Sequence, residues 1–281
     1  MSALLRLTYY EMLKTFLKKR TYLGFAVILA IVPIYVIAMK VEGGHFLKMA
    51  TRSLQLDFIF TGNPFNGWFV AHTLMNSLWV QIPVLISFVA GDELAGEATA
   101  GTYRLILIRP VSRTKIFAAK YLTTLVYTVV FVFFLGIFSA GLALAFLGNG
   151  DLIILGREIL VLPQSEVLWR FALAYCFASW GMITVASIAF FFSSFVENAI
   201  GPIVGTMGVV IVFTLVTVLP VESFATIREY LFTYRMNIWQ KAFADPIPWN
   251  EIRVGVAYLG ANSLAAMLGA WVIFTKKDIL S

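Results

Sequence analysis

A chain of 281 residues that is 60% hydrophobic and 13% charged, with a mean hydropathy of +0.87, has too little polar surface to clothe a water-soluble globule. Its 21 Lys and Arg, for a net charge of +6, are spread along the chain and several sit beside apolar runs, which suits anionic headgroups and argues against nucleic acid. One cysteine, Cys176, and two histidines, His45 and His72, exclude an internal disulfide framework and a Cys/His metal set.

Residues 1–20 come first. Wound at about 100° per residue, Leu5, Tyr9, Met12, Leu13 and Phe16 share one face, and Glu11, Lys14, Thr15 and Lys18 share the other. That pattern predicts an interfacial helix in the cytoplasmic headgroup layer. The apolar run behind it is too long for a signal-peptide core and lacks a small-x-small cleavage site near Met39, so the segment is expected to be retained.

Six stretches long enough to cross about 30 Å of hydrocarbon follow: Tyr22 to Met39, Phe65 to Ala90, Tyr121 to Leu147, Phe171 to Phe192, Ala199 to Leu219 and Val254 to Phe274. None contains Asp, Glu, Lys or Arg, each of which would cost about 2.5–3.5 kcal/mol at mid-bilayer. In the second stretch His72, Asn76, Ser77, Gln81 and Ser87 are spaced so that several share a helical face. They read as interhelical hydrogen-bond glue or, for His72, Asn76 and Gln81, as lining of a pathway. Ser139 to Ala145, and Gly201-x-x-x-Gly205 with Pro202 and Gly208, are small-residue stretches expected to be packing seams.

With a cytoplasmic amino terminus, 12 of the 21 cations fall inside, ten of them in two segments beside the first three spans. That is the distribution expected of a multi-pass protein of the cell (inner) membrane with both termini in the cytoplasm. The inside loop from Gly91 to Tyr121 carries helix punctuation among its charges. Gly101 breaks the helix descending from the second span, Thr102 can cap a short amphipathic helix through Ile108, Pro110 ends it, and Ser112 can cap the helix that becomes the third span.

Glu97-x-x-x-Gly101-Thr102, Leu105, Pro110-Val111-Ser112-Arg113 and Lys120 resemble the pattern between the second and third spans of type-2 ABC exporter permeases. The basic amphipathic start, the six spans and the charged Lys276-Lys277-Asp278 tail are similar to that family throughout. The resemblance implies an all-α polytopic membrane protein, a single permease domain over 1–281. Its parts would be an interfacial helix (1–20), a cytoplasmic coupling loop (91–120) with a coupling helix, and an extracytoplasmic loop (220–253). It further implies a separate ABC ATPase subunit and a second permease chain, as homodimer or heterodimer, in the lipid bilayer. Glu93, Glu97, Arg104, Arg109 and Arg113 would be polar contacts to the ATPase and Leu105 and Ile106 apolar anchors, with Gly101, Thr102, Pro110 and Ser112 shaping the elbow. Glu197, in the short inside loop Ser193 to Asn198, would be a second contact. The plainer alternative pairs Glu97 with Arg113 on a solvated face.

No G-x-x-x-x-G-K-[ST] phosphate loop occurs, so ATP hydrolysis is expected in the partner and no cofactor or metal in this chain. An ion-coupled secondary transporter would place charges along its spans, and a membrane-embedded enzyme would need converging nucleophiles or a G-x-S-x-G or H-E-x-x-H motif. Neither pattern is present. Phe224, Tyr230, Phe232, Tyr234, Trp239, Phe243 and Trp249, interleaved with charges in the last outer loop, predict anchoring at the membrane interface. The exporter resemblance adds short re-entrant or interfacial helices there.

Overall fold

The computed structural model describes residues 3–50, 65–101, 111–155 and 159–276. In chain order, α1 (Ala3–Leu17) leads through a 3-10 turn (Lys19–Thr21) into α2 (Tyr22–Ala50). α3 (Gly67–Leu78), α4 (Gln81–Ala90) and α5 (Asp92–Thr99) follow, then the long α6 (Arg113–Leu147). A hairpin of β1 (Leu152–Leu155) and β2 (Ile159–Leu162) precedes α7 (Gln164–Phe195) and α8 (Ile200–Val218). Short turns, including α9 (Ala225–Arg228), α10 (Phe232–Arg235) and the 3-10 helix Met236–Phe243, lead to α11 (Trp249–Lys276).

Among the described residues five segments are long and apolar enough to span a membrane: Lys19–Gly44, Arg113–Leu147, Gln164–Phe195, Ile200–Val218 and Trp249–Lys276. α3 and α4 make a sixth if they count as one span. The protein is thus a predominantly helical, membrane-embedded one.

The unbroken second span is corrected: α3 and α4 are bent by 61°. Pro83 has no N–H for the carbonyl of Trp79, and its ring would crowd that carbonyl, so the helix stops at Leu78 and restarts at Gln81. The Gln81 amide, oriented by its neighbours, donates back across the break to the carbonyls of Ser77 (2.7 Å) and Leu78 (3.2 Å).

A strictly all-α reading is corrected as well. Leu152-Ile-Ile-Leu155 and Ile159-Leu-Val-Leu162 pair antiparallel, Leu152 opposite Leu162 and Leu155 opposite Ile159. Short β-branched runs suit such a pair. The chain beside it receives the start of α3: Gly67 N–H donates to Gly148 O (2.9 Å) and Asn66 Nδ2 to Asp151 O (2.6 Å). Asn66 Oδ1 in turn accepts from the N–H groups of Trp68 and Phe69, capping α3.

α7 runs through the core, packing Phe171, Tyr175 and Met182 against Trp68 of α3, Leu135 of α6 and Trp239. The α6 seam is real. A Cβ on Gly136 would stand 2.9 Å from the Tyr175 ring, Ser139 Oγ lies 3.3 Å from Tyr175 Oη, and Gly67 sits against the backbone of Ala143 and Leu144. The expected α8 seam is met only at its start, where Pro202 is buried and would stand 3.1 Å from a Cβ on Gly91. Gly205 only rests at ordinary distance from Phe192, and Gly208 faces open space between the exposed Val204 and Ile211.

The segment between α8 and α11 dives inward. Met236 O lies 3.5 Å from the place a Cβ on Gly181 would take, and Gly181 is seventeen residues past Gln164, about 25 Å along α7. Phe232, Trp239 and Phe243 are therefore core residues and not interface anchors, while Tyr230, Tyr234 and Trp249 stay exposed. The buried Arg170 ties this segment to α7, donating to Ala244 O (2.7 Å) and to Glu166 Oε2 (3.0 and 2.8 Å).

Candidate functional site

Of the charged residues singled out between the second and third spans, Glu93, Glu97 and Lys120 converge at one end of the bundle. α5 begins directly after α4. Its N-terminus is capped from a distant helix: Ser193 of α7 accepts the N–H groups of Leu94 (3.2 Å) and Ala95 (2.8 Å) and donates to Gly91 O. α5 ends at Gly101, whose φ of +65° is a left-handed conformation favouring glycine. Glu93 and Glu97 are four residues apart and lie on one face. Asp92 lies along the helix over Gly96, where any Cβ would collide with its carboxylate.

α1 covers that face with its polar side. Lys14 is ion-paired with Glu97, Thr15 Oγ1 donates to Glu93 Oε1 (2.8 Å), and Asp92 takes both Lys18 (3.2 Å) and Arg20. From α6, Lys120 Nζ reaches Glu11 Oε2 at 2.8 Å and Glu97 Oε1 at 3.1 Å. Four carboxylates and four cations therefore balance. Burial pushes the Glu93 carboxyl above the usual carboxylate range, and the charges of Lys120 and Lys18 and the Thr15 hydroxyl counteract it only in part. The apolar face of α1 points away, with Leu5, Tyr9 and Leu13 exposed and Phe16 turned inward beside Tyr127.

This arrangement bears on two sequence expectations. Glu93 and Glu97 are each 3% exposed, their carboxylates turned toward α1 and α6 of the same chain. Ser112 occupies the N-cap of α6, yet its side chain makes no capping bond; its backbone carbonyl accepts from Lys115 (2.9 Å) and Ile116 (3.3 Å) instead. Arg113 donates to Thr275 O (3.2 Å), tying α6 to the end of α11, and Thr99 Oγ1 donates to Glu197 O (2.8 Å), tying α5 to the loop after α7. Thr102, Arg104, Leu105, Ile106, Arg109 and Pro110 lie outside the described residues.

Sequence reasoning read Glu11, Lys14, Thr15 and Lys18 as a solvent or headgroup face. Their mixed signs, set against the acidic Asp92-Glu93 and Glu97, were the available signal for a docking face. Ser193 carried no signal at all, because its partners are 98 and 99 residues away.

The three candidate pathway residues lie elsewhere and do not all meet. Asn76 Nδ2 donates to His72 O (3.0 Å), Gln240 Nε2 donates to Asn76 Oδ1 (2.9 Å), and the His72 ring packs edge-on against Phe243 at 5.0 Å. Gln81, beyond the break, serves the backbone there. Among the described residues no group of His, Cys, Asp or Glu is arranged to hold a metal ion.

The family described as "Protein of unknown function (DUF2705)" matches residues 26–280. The chain is also 26% identical over 199 residues to the "Uncharacterized protein YhcI" of Bacillus subtilis (strain 168). That alignment covers 68% of this chain and 62% of the relative, so the match spans less than two thirds of the relative's length.

Proposed function

This chain belongs to the DUF2705 family, and we propose that it is the membrane-spanning permease subunit of an ATP-driven exporter. In this reading two permease chains pair in the cell membrane, and a separate ABC ATPase subunit supplies the energy. The end bearing α1 and α5 faces the cytoplasm, consistent with the cations gathered there. The observation that carries the reading is the buried junction of α5 with α1, Lys120 and Ser193.

A partner pushing on the segment after α5 can move spans only if that segment is joined stiffly to them. Here α5 continues from α4, is capped by α7, is ion-paired to α6 and is clamped by α1. Displacement at Gly101 is therefore passed to several spans at once and is not absorbed by a loose loop. ATP binding would close the ATPase pair, the elbow would follow, and the bundle would shift access from the inner side to the outer.

The test is co-expression with candidate ATPases, beginning with any encoded in the neighbouring reading frame, and purification in detergent. The expected result is a complex whose ATP hydrolysis requires this chain. Transport by the isolated chain under an ion gradient would overturn the reading in favour of a secondary transporter.

A further inference from the structure

Two departures from regular α-helix meet deep in the bundle: the α3–α4 break and the inward-diving 3-10 helix that begins at Met236. Irregular backbone at such depth persists only where protein buries it or where it lines a cavity. Here it lines one, of about 160 Å³, between the break, α10 with the 3-10 helix, and α8.

The cavity has two chemically distinct walls. Trp79, Pro83, Val210 and Met236 form the apolar one. Thr214, Thr217, Thr233 and Asn237 form the other, and no charged side chain lines it. Thr217 Oγ1 donates to Phe213 O (2.7 Å) and accepts from Thr233 Oγ1 (3.1 Å). Thr214 and Asn237 have no side-chain hydrogen bond among the described residues, which leaves a hydroxyl and an amide unspent beside the space. Val80 and Val218, also at the cavity, are 56% and 72% exposed, so its mouth opens on the apolar surface of the bundle.

We propose that this cavity binds an uncharged amphiphile that arrives from the lipid phase. Its hydroxyl or amide head would hydrogen-bond Thr214 and Asn237, and its hydrocarbon would leave between Val80 and Val218. A full charge is disfavoured because nothing in the lining would compensate it. The volume matches that of cavities that hold a benzene-sized group, so the pocket takes a ring or a head with its first carbons and not an entire lipid. The proposal names a substrate class for the permease reading and rests on that reading for its purpose, though binding itself does not require an ATPase.

Tryptophan fluorescence tests it on the full chain alone in detergent, with 4-bromobenzyl alcohol, whose ring and head fit the pocket beside Trp79, as a quenching probe and ionised 4-bromobenzoate as its charged counterpart. Saturable quenching by the alcohol is expected, with the carboxylate binding about tenfold or more weakly. Trp79→Phe should remove the saturable component. Thr214→Val combined with Asn237→Leu should weaken binding about tenfold, the loss of two neutral hydrogen bonds, and Thr214→Ser should restore part of it. Quenching that rises without saturation, survives Trp79→Phe, or ignores both the head charge and the double substitution overturns the proposal. Because no ATPase is present, such a failure leaves the permease reading standing. Saturable binding without any ATPase partner would instead leave the cavity standing alone.

Discussion

Lys120 and Glu97, 23 residues apart in the chain, meet at 3.1 Å with side chains only 1% and 3% exposed. Neither could be carried into such a place alone, since an uncompensated buried charge costs several kcal/mol. Each is in addition held by α1, Lys120 by Glu11 and Glu97 by Lys14. The pair is therefore where α1, α5 and α6 are joined.

Lys120→Met is expected to strip the cation from two carboxylates and destabilise the protein by about 3–5 kcal/mol. Adding Glu97→Gln should recover part of that loss, because the second change removes one of the stranded charges. Thermal unfolding of Lys120→Met, Glu97→Gln and the double variant in one detergent checks it. Strictly additive losses would show that the two residues do not act as a pair.

Glu93 supplies a pH dependence with a definite sign. Its folded carboxyl titrates above the unfolded one because burial disfavours the charged form. The stability it contributes is thus fully present below the ordinary glutamate value of about 4.3 and is lost as pH rises through its elevated folded value. Glu93→Gln should therefore become more stable relative to the parent as pH rises above that ordinary value. Melting temperatures for both proteins over that rise measure the difference, and a constant offset would contradict it.

Ser193→Ala removes the acceptor for Leu94 and Ala95 and the donor to Gly91 O. Leaving these buried groups unpaired should cost about 1–3 kcal/mol. Hydrogen exchange at the Leu94 and Ala95 amides should speed up selectively, with the far end of α7 unaffected.

Pro83→Ala returns the N–H that the carbonyl of Trp79 lacks. If the proline imposes the 61° bend, exchange at residues 79–83 should slow as α3 and α4 fuse. Unchanged exchange would show that contacts with the Met236–Phe243 helix hold the bend instead.

Arg170→Met leaves Ala244 O without its donor and frees Glu166. The segment between Met236 and Pro248 should then be cleaved sooner in limited proteolysis, while Arg170→Lys, with fewer donors, should fall between.

The membrane character and nearly every span were legible because both are properties of consecutive residues: a run without charge is costly to leave in water wherever its neighbours lie. Gly101 was legible for the same local reason, and it does end α5 with a positive φ. The break at Pro83 was equally local, yet hydropathy summed over Phe65 to Ala90 concealed it, since proline interrupts a helix without making it polar. The hairpin, between the third and fourth expected spans, is hidden for a different reason: four-residue apolar runs are too short for periodicity to tell a strand from other structure.

The elbow was legible as a constellation but not in its orientation. Heptad-like spacing puts Glu11, Lys14, Thr15 and Lys18 on one face of α1 whether that face meets water or protein, and amphipathicity alone cannot distinguish the two. The choice came from the folded arrangement, which brings Asp92, Glu93, Glu97 and Lys120 under that face with matching charge. The same holds for Trp239 and Phe243, whose composition predicts an interface and whose place beside His72 takes them into the core. Transfer from water to lipid is an energy each segment settles independently, whereas the pairing of buried charges and the filling of a core are energies that exist only between segments, and no reading along a single strand of text contains them.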